Sequence, residues 1–193
     1  MRKLIYYVGI SLDGYLAAPD GTADFYPVTP DVVEFITTEY PDTLPTHIRA
    51  QLGIDAPNRH FAVGIQGRRT YEPALEAGVT SPFTHLRQYV VSRSITESPD
   101  PAVELVDGDP LAKVRELKAE ASEEPAGDIY LIGGSELAGQ LLPEIDELVL
   151  KVYPIVAGAG IPLFRTDFSP VAFELTGTRT LEHGTVVLNY RRK

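Results

Sequence analysis

The 193-residue chain has no cysteine, no tryptophan and a single methionine. Without thiols there is no disulfide framework and no thiolate chemistry. Basic residues are in the minority, 17 Lys and Arg against 27 Asp and Glu, for a net charge of −10. A polyanionic partner needs concentrated Lys and Arg. Here the bases are scattered, apart from Arg191-Arg192-Lys193 and the pair Arg68-Arg69, so nucleic acid is not an expected partner. No run approaches the roughly 18 apolar residues of a membrane span. The N-terminal MRKLIYYVGISLDGY has a basic start, but its apolar part is short, β-branched and aromatic, and Asp13 soon follows. It reads as a first strand, not a signal peptide. These absences lead us to expect a cytoplasmic protein with no membrane association.

What is present suits one α/β domain over residues 1–193, since 44% of residues are hydrophobic and the length fits a single core. Runs rich in Val, Ile, Tyr and Leu predict strands at Leu4–Ile10, Phe61–Ile65, Gln88–Ser92, Ile129–Ile132, Glu147–Ile155, Phe173–Leu181 and Thr185–Arg191. Leu181 to Thr185 reads as a hairpin turn between the last two. Helical patterns fall between the others. TPDVVEFITTEY has Thr29 as cap and Pro30 in the first turn; GRRTYEPALEAG opens around Thr70 and stops at Gly78. DPLAKVRELKAE begins at Asp109 and Pro110, and SELAGQLLP runs from Ser135 to Pro143. Strand alternating with helix implies a mostly parallel sheet covered on both faces, with an antiparallel hairpin added at the C-terminal end. Thr37–His60 interrupts this rhythm as a long excursion holding a helix fragment at Thr46–Leu52.

Three strand ends carry groups suited to anions. Gly133 and Gly134 lie side by side where a buried strand gives way to a helix at Ser135. Ligands bind at the carboxyl edge of such sheets, and a helix that starts there offers unpaired N–H groups that phosphate reaches only if the main chain is bare. The spacing is not G-x-G-x-x-G, because Ser135 stands where a glycine would be needed. It is not a P-loop either, because Gln140 and Leu141 replace the Lys and Ser/Thr. A plain tight turn is the alternative reading. At the second strand end, Gly67-Arg68-Arg69-Thr70 puts two guanidinium groups at a helix N-terminus, where like charges are unfavourable without an anion. At the third, Ser92-Arg93-Ser94 places two hydroxyls around one arginine, a set that suits a phosphomonoester. There is no H-E-x-x-H, Cys/His cluster or G-x-S-x-G elbow, and His85 and His183 lack ligand-like spacing. Neither a metal site nor Ser/His/Asp hydrolysis is expected.

GISLDGYLA, GRRTYE, VVSRS, LIGGSEL and PIVAGAGIPLF occur in this order, and together they resemble the dihydrofolate reductase superfamily. The resemblance covers most of the chain and is nearest to the branch of the C-terminal reductase domain of bifunctional riboflavin-biosynthesis proteins. It implies a three-layer dihydrofolate reductase-like fold and an NADPH-dependent oxidoreductase acting on a pyrimidine- or pterin-like heterocycle. In the riboflavin pathway that substrate is 5-amino-6-(5-phosphoribosylamino)uracil. It implies a cis peptide between Gly133 and Gly134, facing the nicotinamide and pyrophosphate together with Ile132, Ser135, Glu136 and Leu137. Gly67, Arg68, Arg69 and Thr70 would hold phosphate, and Ser92, Arg93 and Ser94 the 2′-phosphate. Gly9 and Ile10, with Leu16 and Ala17 from a mobile loop, would cap the nicotinamide. On the substrate side, Asp31 stands where dihydrofolate reductases carry a carboxylate, with Glu34 one turn on, and Asp13 has a family counterpart. In an apolar cleft such a carboxylate would have a raised pKa and could supply a proton. Equally, Asp31 suits a first helical turn and Asp13 a chain turn. Tyr15 stands where riboflavin-type reductases carry Lys or Arg, and His47, Arg49 and Arg59 are the candidates for a ribose phosphate. The open alternatives are a dihydrofolate reductase proper, a non-catalytic nucleotide-binding module on the same fold and a phosphosugar-binding domain. The family branch suggests a homodimer, for which the strand around Val149–Ile155 could pair across an interface.

Overall fold

A computed structural model describes residues 1–120 and 127–193. Among these residues ten strands and five α-helices follow one another: β1 (Leu4–Ile10), β2 (Tyr15–Ala17), α1 (Pro30–Glu39), α2 (Thr46–Gln51), β3 (Phe61–Gly67), α3 (Arg68–Glu76), β4 (Arg87–Val91) and β5 (Val103–Val106). They continue with α4 (Pro110–Ala119), β6 (Asp128–Gly133), α5 (Ser135–Leu141), β7 (Glu147–Val152), β8 (Ile161–Pro162), β9 (Phe173–Thr180) and β10 (Val186–Arg192). The expected strands and helices are all present, with ends shifted by a few residues. α3 opens directly at Arg68 rather than around Thr70. The short β2, β5 and β8 are not among the strands the sequence predicts.

Eight strands form one sheet in the order β5-β4-β3-β6-β1-β7-β10-β9, and β2 pairs with β8 in a small second sheet. The first six are parallel, so β1, β3, β4, β6 and β7 all end on the same edge. β10 joins β7 antiparallel, and β9 joins β10 through the expected hairpin, closed by Leu181 N–H to Thr185 O at 2.8 Å. β7 is therefore paired on both sides, and the suggestion that it pairs across a subunit interface is corrected. The sheet ends at β5 and β9.

Alternation along each strand sends side chains to two cores. Leu4, Tyr6, Ile129 and Leu131 pack with Val114 and Leu117 of α4 and Leu137 and Leu141 of α5. On the other face Ile5, Tyr7, Tyr130 and Val149 pack with Val32 and Phe35 of α1. Burying each such side chain contributes about 1.5–3 kcal/mol. Local signals set the helix ends: Pro110 follows Asp109, whose Oδ1 accepts from Leu111 N–H at 2.9 Å.

The Thr37–His60 excursion is tied down rather than loose. Asp42 is fully buried, and its Oδ2 accepts the N–H groups of His60 and Phe61 at 2.8 and 2.7 Å, fixing the start of β3. His60 stacks on Tyr40, and His85 reaches the Asp42 carbonyl at 2.9 Å. The Arg49 guanidinium is turned inward onto the Ala56 carbonyl.

Candidate functional site

β3 and β6 are neighbours, with Gln66 level with Gly133, so their ends and the helices that follow them meet at one point. Thr70, in the first turn of α3, closes that point. A Cβ on Gly134 would sit 3.2 Å from Thr70 Oγ1, and one on Gly133, where φ is +137°, would sit 3.6 Å from it. A Cβ on Gly67 would lie 3.8 Å from Gly133 O and Gly134 N. Three glycines therefore leave a patch of main chain bare, bounded by a hydroxyl. The Gly133–Gly134 peptide is cis, as the resemblance implies. Beside it the Ser135 hydroxyl is buried without a hydrogen-bond partner among the described residues, while Ile132 and Leu137 are held in the two cores.

Cations surround this patch. Arg69 and Arg165 reach the same oxygen of Glu136, in the first turn of α5, at 3.5 and 3.0 Å. Arg68 pairs instead with Glu72, one turn along its own helix, at 3.4 Å. All these side chains are exposed, so each pair stabilises the fold by about 1 kcal/mol at most. Arg165 was not singled out from the sequence. It arrives because its N–H donates to Ser135 O at 3.0 Å and its carbonyl packs onto Gly139, where a Cβ would collide. Gly139, which follows Gly134 at the G-x-x-x-x-G spacing, thus makes room for the main chain at Arg165. One strand beyond β3, buried Ser92 accepts the N–H groups of Ser94 and Ile95 at 3.1 and 2.8 Å, a turn that leaves Arg93 and Ser94 exposed.

The other half of the edge is aromatic. Gly9 is covered by the Tyr153 ring, which a Cβ there would approach to 2.8 Å. Tyr26 packs on Tyr153 with ring centres 4.7 Å apart and Phe25 on Tyr26 at 4.3 Å, both pairs tilted. Ile10 is buried and its carbonyl accepts Tyr153 N–H at 2.8 Å. Leu16 and Ala17 belong to β2, paired with β8, and not to a free loop. Lys151, on β7, is level with Gly9 on β1, and its Nζ lies 4.2 Å from the Tyr7 ring centre.

Neither carboxylate behaves as a buried proton donor. Asp13 accepts from Ser11 Oγ at 2.7 Å, Ala157 N–H at 3.0 Å and Gly158 N–H at 2.7 Å, clasping the β1–β2 turn to the segment after β7. The Ser11 hydroxyl and then the Ala157 N–H bring its pKa down to about 2. Asp31 accepts from the His183 N–H and meets His183 Nδ1, both at 2.9 Å, joining α1 to the β9–β10 turn. The neighbouring Thr29 hydroxyl and the His183 N–H hold its carboxyl below the usual range, the opposite of the raised value expected in an apolar cleft.

A cleft of about 280 Å³ opens on the same face of the sheet, lined by His47, Gln66, Thr70, Ala74, Phe83 and Ile132 among others. It borders the glycine patch through Thr70 and Ile132. Of the three ribose-phosphate candidates, His47 lines this cleft, Arg49 is buried away from solvent and Arg59 is exposed.

This sheet order, with its antiparallel C-terminal pair and its ligand edge, defines the dihydrofolate reductase-like fold. A dihydrofolate reductase from Enterococcus faecalis, solved with NADP(H), superimposes with a TM-score of 0.62 at 15% identity, over 99% of this chain and 96% of that one. Within the fold, the chain belongs to the RibD C-terminal domain family, which matches residues 2–187. It is similar to a putative riboflavin biosynthesis protein from Shewanella sp. PV-4, with a TM-score of 0.70 and 24% identity over 99% of both chains. In sequence it is 28% identical to the uncharacterized protein YwjB of Bacillus subtilis (strain 168), over 99% of this chain and 98% of that protein.

Proposed function

We propose that the protein is an NADPH-dependent reductase of a substrate built on a flat nitrogen heterocycle of pyrimidine or pterin type, as the riboflavin-pathway reductases are. The observation that carries this reading is the meeting of Gly67, Thr70 and Gly133–Gly134 at one strand edge. Bare backbone between two helix starts fits a pyrophosphate. Arg69 and Arg165 stand beside it, and Arg93 with Ser94 lies one strand further on, suited to the 2′-phosphate. The Tyr153 ring, which fills the space over Gly9, is the matching flat surface for the nicotinamide, which supplies the hydride when bound. The neighbouring cleft then receives the heterocycle, with His47 at its rim for a phosphate on the substrate.

The riboflavin-type substrate fits this chain better than folate does. A folate-type site wants a free carboxylate on the first helix, and Asp31 is committed to His183. The test is a thermal-shift titration with NADPH and NADH, then NADPH oxidation with 5-amino-6-(5-phosphoribosylamino)uracil and with dihydrofolate. NADPH should raise Tm well above NADH at equal concentration, since a ligand that binds only the folded state stabilises it. Absence of a shift with millimolar NADPH would sink the reading; NADPH binding without oxidation by any heterocycle would leave a binding module.

A further inference from the structure

A lysine in a protein interior is costly unless an anion meets it. Lys151 is only 8% exposed, and among the described residues no carboxylate lies within ion-pairing distance of it. Its closest recorded partner is the face of the Tyr7 ring, at 4.2 Å. Tyr40 packs on the far side of that cluster, 4.6 Å from Tyr7. A methionine would fill the same volume at less cost, so the amine asks for a use.

Its position suggests one. Residues level with each other on parallel neighbours point to the same face. Lys151 is level with Gly9, and Tyr7 is level with Val149. Tyr6 pairs with Leu131, which sets Ile132 of β6 beside Tyr7. Ile132, Tyr7, Gly9 and Lys151 thus share one face at the carboxyl ends of three adjacent strands, and Ile132 lines the cleft. Beside the amine, the room left by the missing side chain of Gly9 is taken by the Tyr153 ring.

We propose, resting on the reductase reading above, that Lys151 is the proton donor of the reaction, giving an Nζ proton to the nitrogen of the substrate C=N bond whose carbon accepts the hydride; in a ribosylamino substrate this is the C1′=N bond of the imine formed when the ribose ring opens and its ring oxygen becomes a hydroxyl. The hydride forms the new C–H bond, and the π pair of the C=N bond moves to nitrogen. That pair takes the proton from Lys151, and the N–H bond of the ammonium breaks. The lysine is left neutral and regains a proton from water. NADPH, the reductant, leaves as NADP⁺.

The surroundings suit that duty. Burial brings the Lys151 pKa down to about 7, where an acid is effective at neutral pH. The titratable groups around it are phenols: Tyr7 from β1, Tyr40 after α1 and Tyr153 just past the end of β7, all raised by burial. β10 presents Val187 opposite it. Among the described residues, the charged pairs on the strands and helix packed here are Asp31 with His183, Glu39 with Arg179, Glu147 with Lys3 and Arg191 with Glu174, each internally matched.

Two variants test this, Lys151→Met and Lys151→Arg, each read three ways. Fluorescence titration should give NADPH dissociation constants within about twofold of wild type. NMR of protein labelled at its lysine side chains, assigned by the spectrum of Lys151→Met, should show one amine titrating near neutral pH. Single-turnover oxidation of NADPH with 5-amino-6-(5-phosphoribosylamino)uracil should fall about tenfold per pH unit above that value in wild type, and about 100-fold or more in Lys151→Met. Lys151→Arg should be similarly slow and lose the alkaline limb, because arginine keeps its proton. A lysine spectrum with no amine titrating near neutrality, or a Lys151→Met enzyme that keeps half the wild-type rate or the same limb, overturns the assignment while NADPH binding leaves the reductase reading standing. Loss of NADPH binding by the wild-type protein removes both.

Discussion

Along the carboxyl edge of the sheet, β3 and β6 end in glycine and present bare main chain, whereas β1 and β7 end under aromatic rings. On the first side the chemistry is in backbone N–H groups and exposed guanidiniums, each in high dielectric and each individually weak. On the second it is in buried side chains, where Lys151 and Tyr7 interact in a lower dielectric. The difference separates two tasks. A polyphosphate is held by many weak donors that cost little to keep ready. A proton is moved by one group whose ionisation has been shifted, and that shift is destabilising to the fold.

The largest effect should come from filling the bare side. Gly134→Val would push a branched side chain toward Thr70 Oγ1, already 3.2 Å from a Cβ. NADPH affinity should fall by about 100-fold or more, equivalent to about 3 kcal/mol, in a fluorescence titration. Retained affinity would mean that the cofactor does not lie on this patch.

The buried side should respond in the opposite sense. Lys151→Met removes a desolvated amine and should stabilise the protein at neutral pH by about 1–4 kcal/mol in urea titrations. The sign with pH follows from the pKa of about 7 in the folded state against 10.5 for a free lysine. Between those values the unfolded chain binds the extra proton, so wild-type stability rises with pH and the gap to Lys151→Met closes toward pH 10.5. A gap independent of pH would show that Lys151 is charged in the folded protein.

Much of the bare side was legible because its signal is local. Gly133-Gly134, Gly67 to Thr70 and Ser92-Arg93-Ser94 are short words at strand ends, and a strand followed by a helix is itself a local pattern. The aromatic side was not, because its meaning depends on register. Lys151 lies inside a strand that the sequence predicts, but nothing in Glu147–Ile155 reveals that it stands level with Gly9 under β10. Asp31 and His183 are 152 residues apart, so their pairing could not be read from spacing. Arg165 belongs to a loop, brought to α5 by a backbone hydrogen bond. β5 escaped notice because four residues with a glutamate in the middle make a weak strand signal, and parallel pairing to β4 supplies the rest.

A smaller effect tests the far end of the bare side. Arg93→Ala should narrow the preference for NADPH over NADH by about tenfold, the worth of one charge-assisted hydrogen bond to phosphate. Affinity for NADH should not change. Equal discrimination by the variant would move the 2′-phosphate away from the turn that Ser92 organises.

The smallest effect should come from the carboxylate that the resemblance places on the substrate side. Asp31 is bound twice by His183, so Asp31→Asn should alter turnover by no more than about twofold, as expected for a residue away from the chemistry. Its consequence should lie in stability at low pH. Because hydrogen bonds hold the folded-state pKa below the usual carboxylate value, the contribution is present above that value and is lost as pH falls through it. The wild-type Tm advantage over Asp31→Asn should therefore shrink on acidification below about pH 4. A large loss of turnover at neutral pH, with folding intact, would instead make Asp31 part of the substrate site and set a second proton-handling group against Lys151.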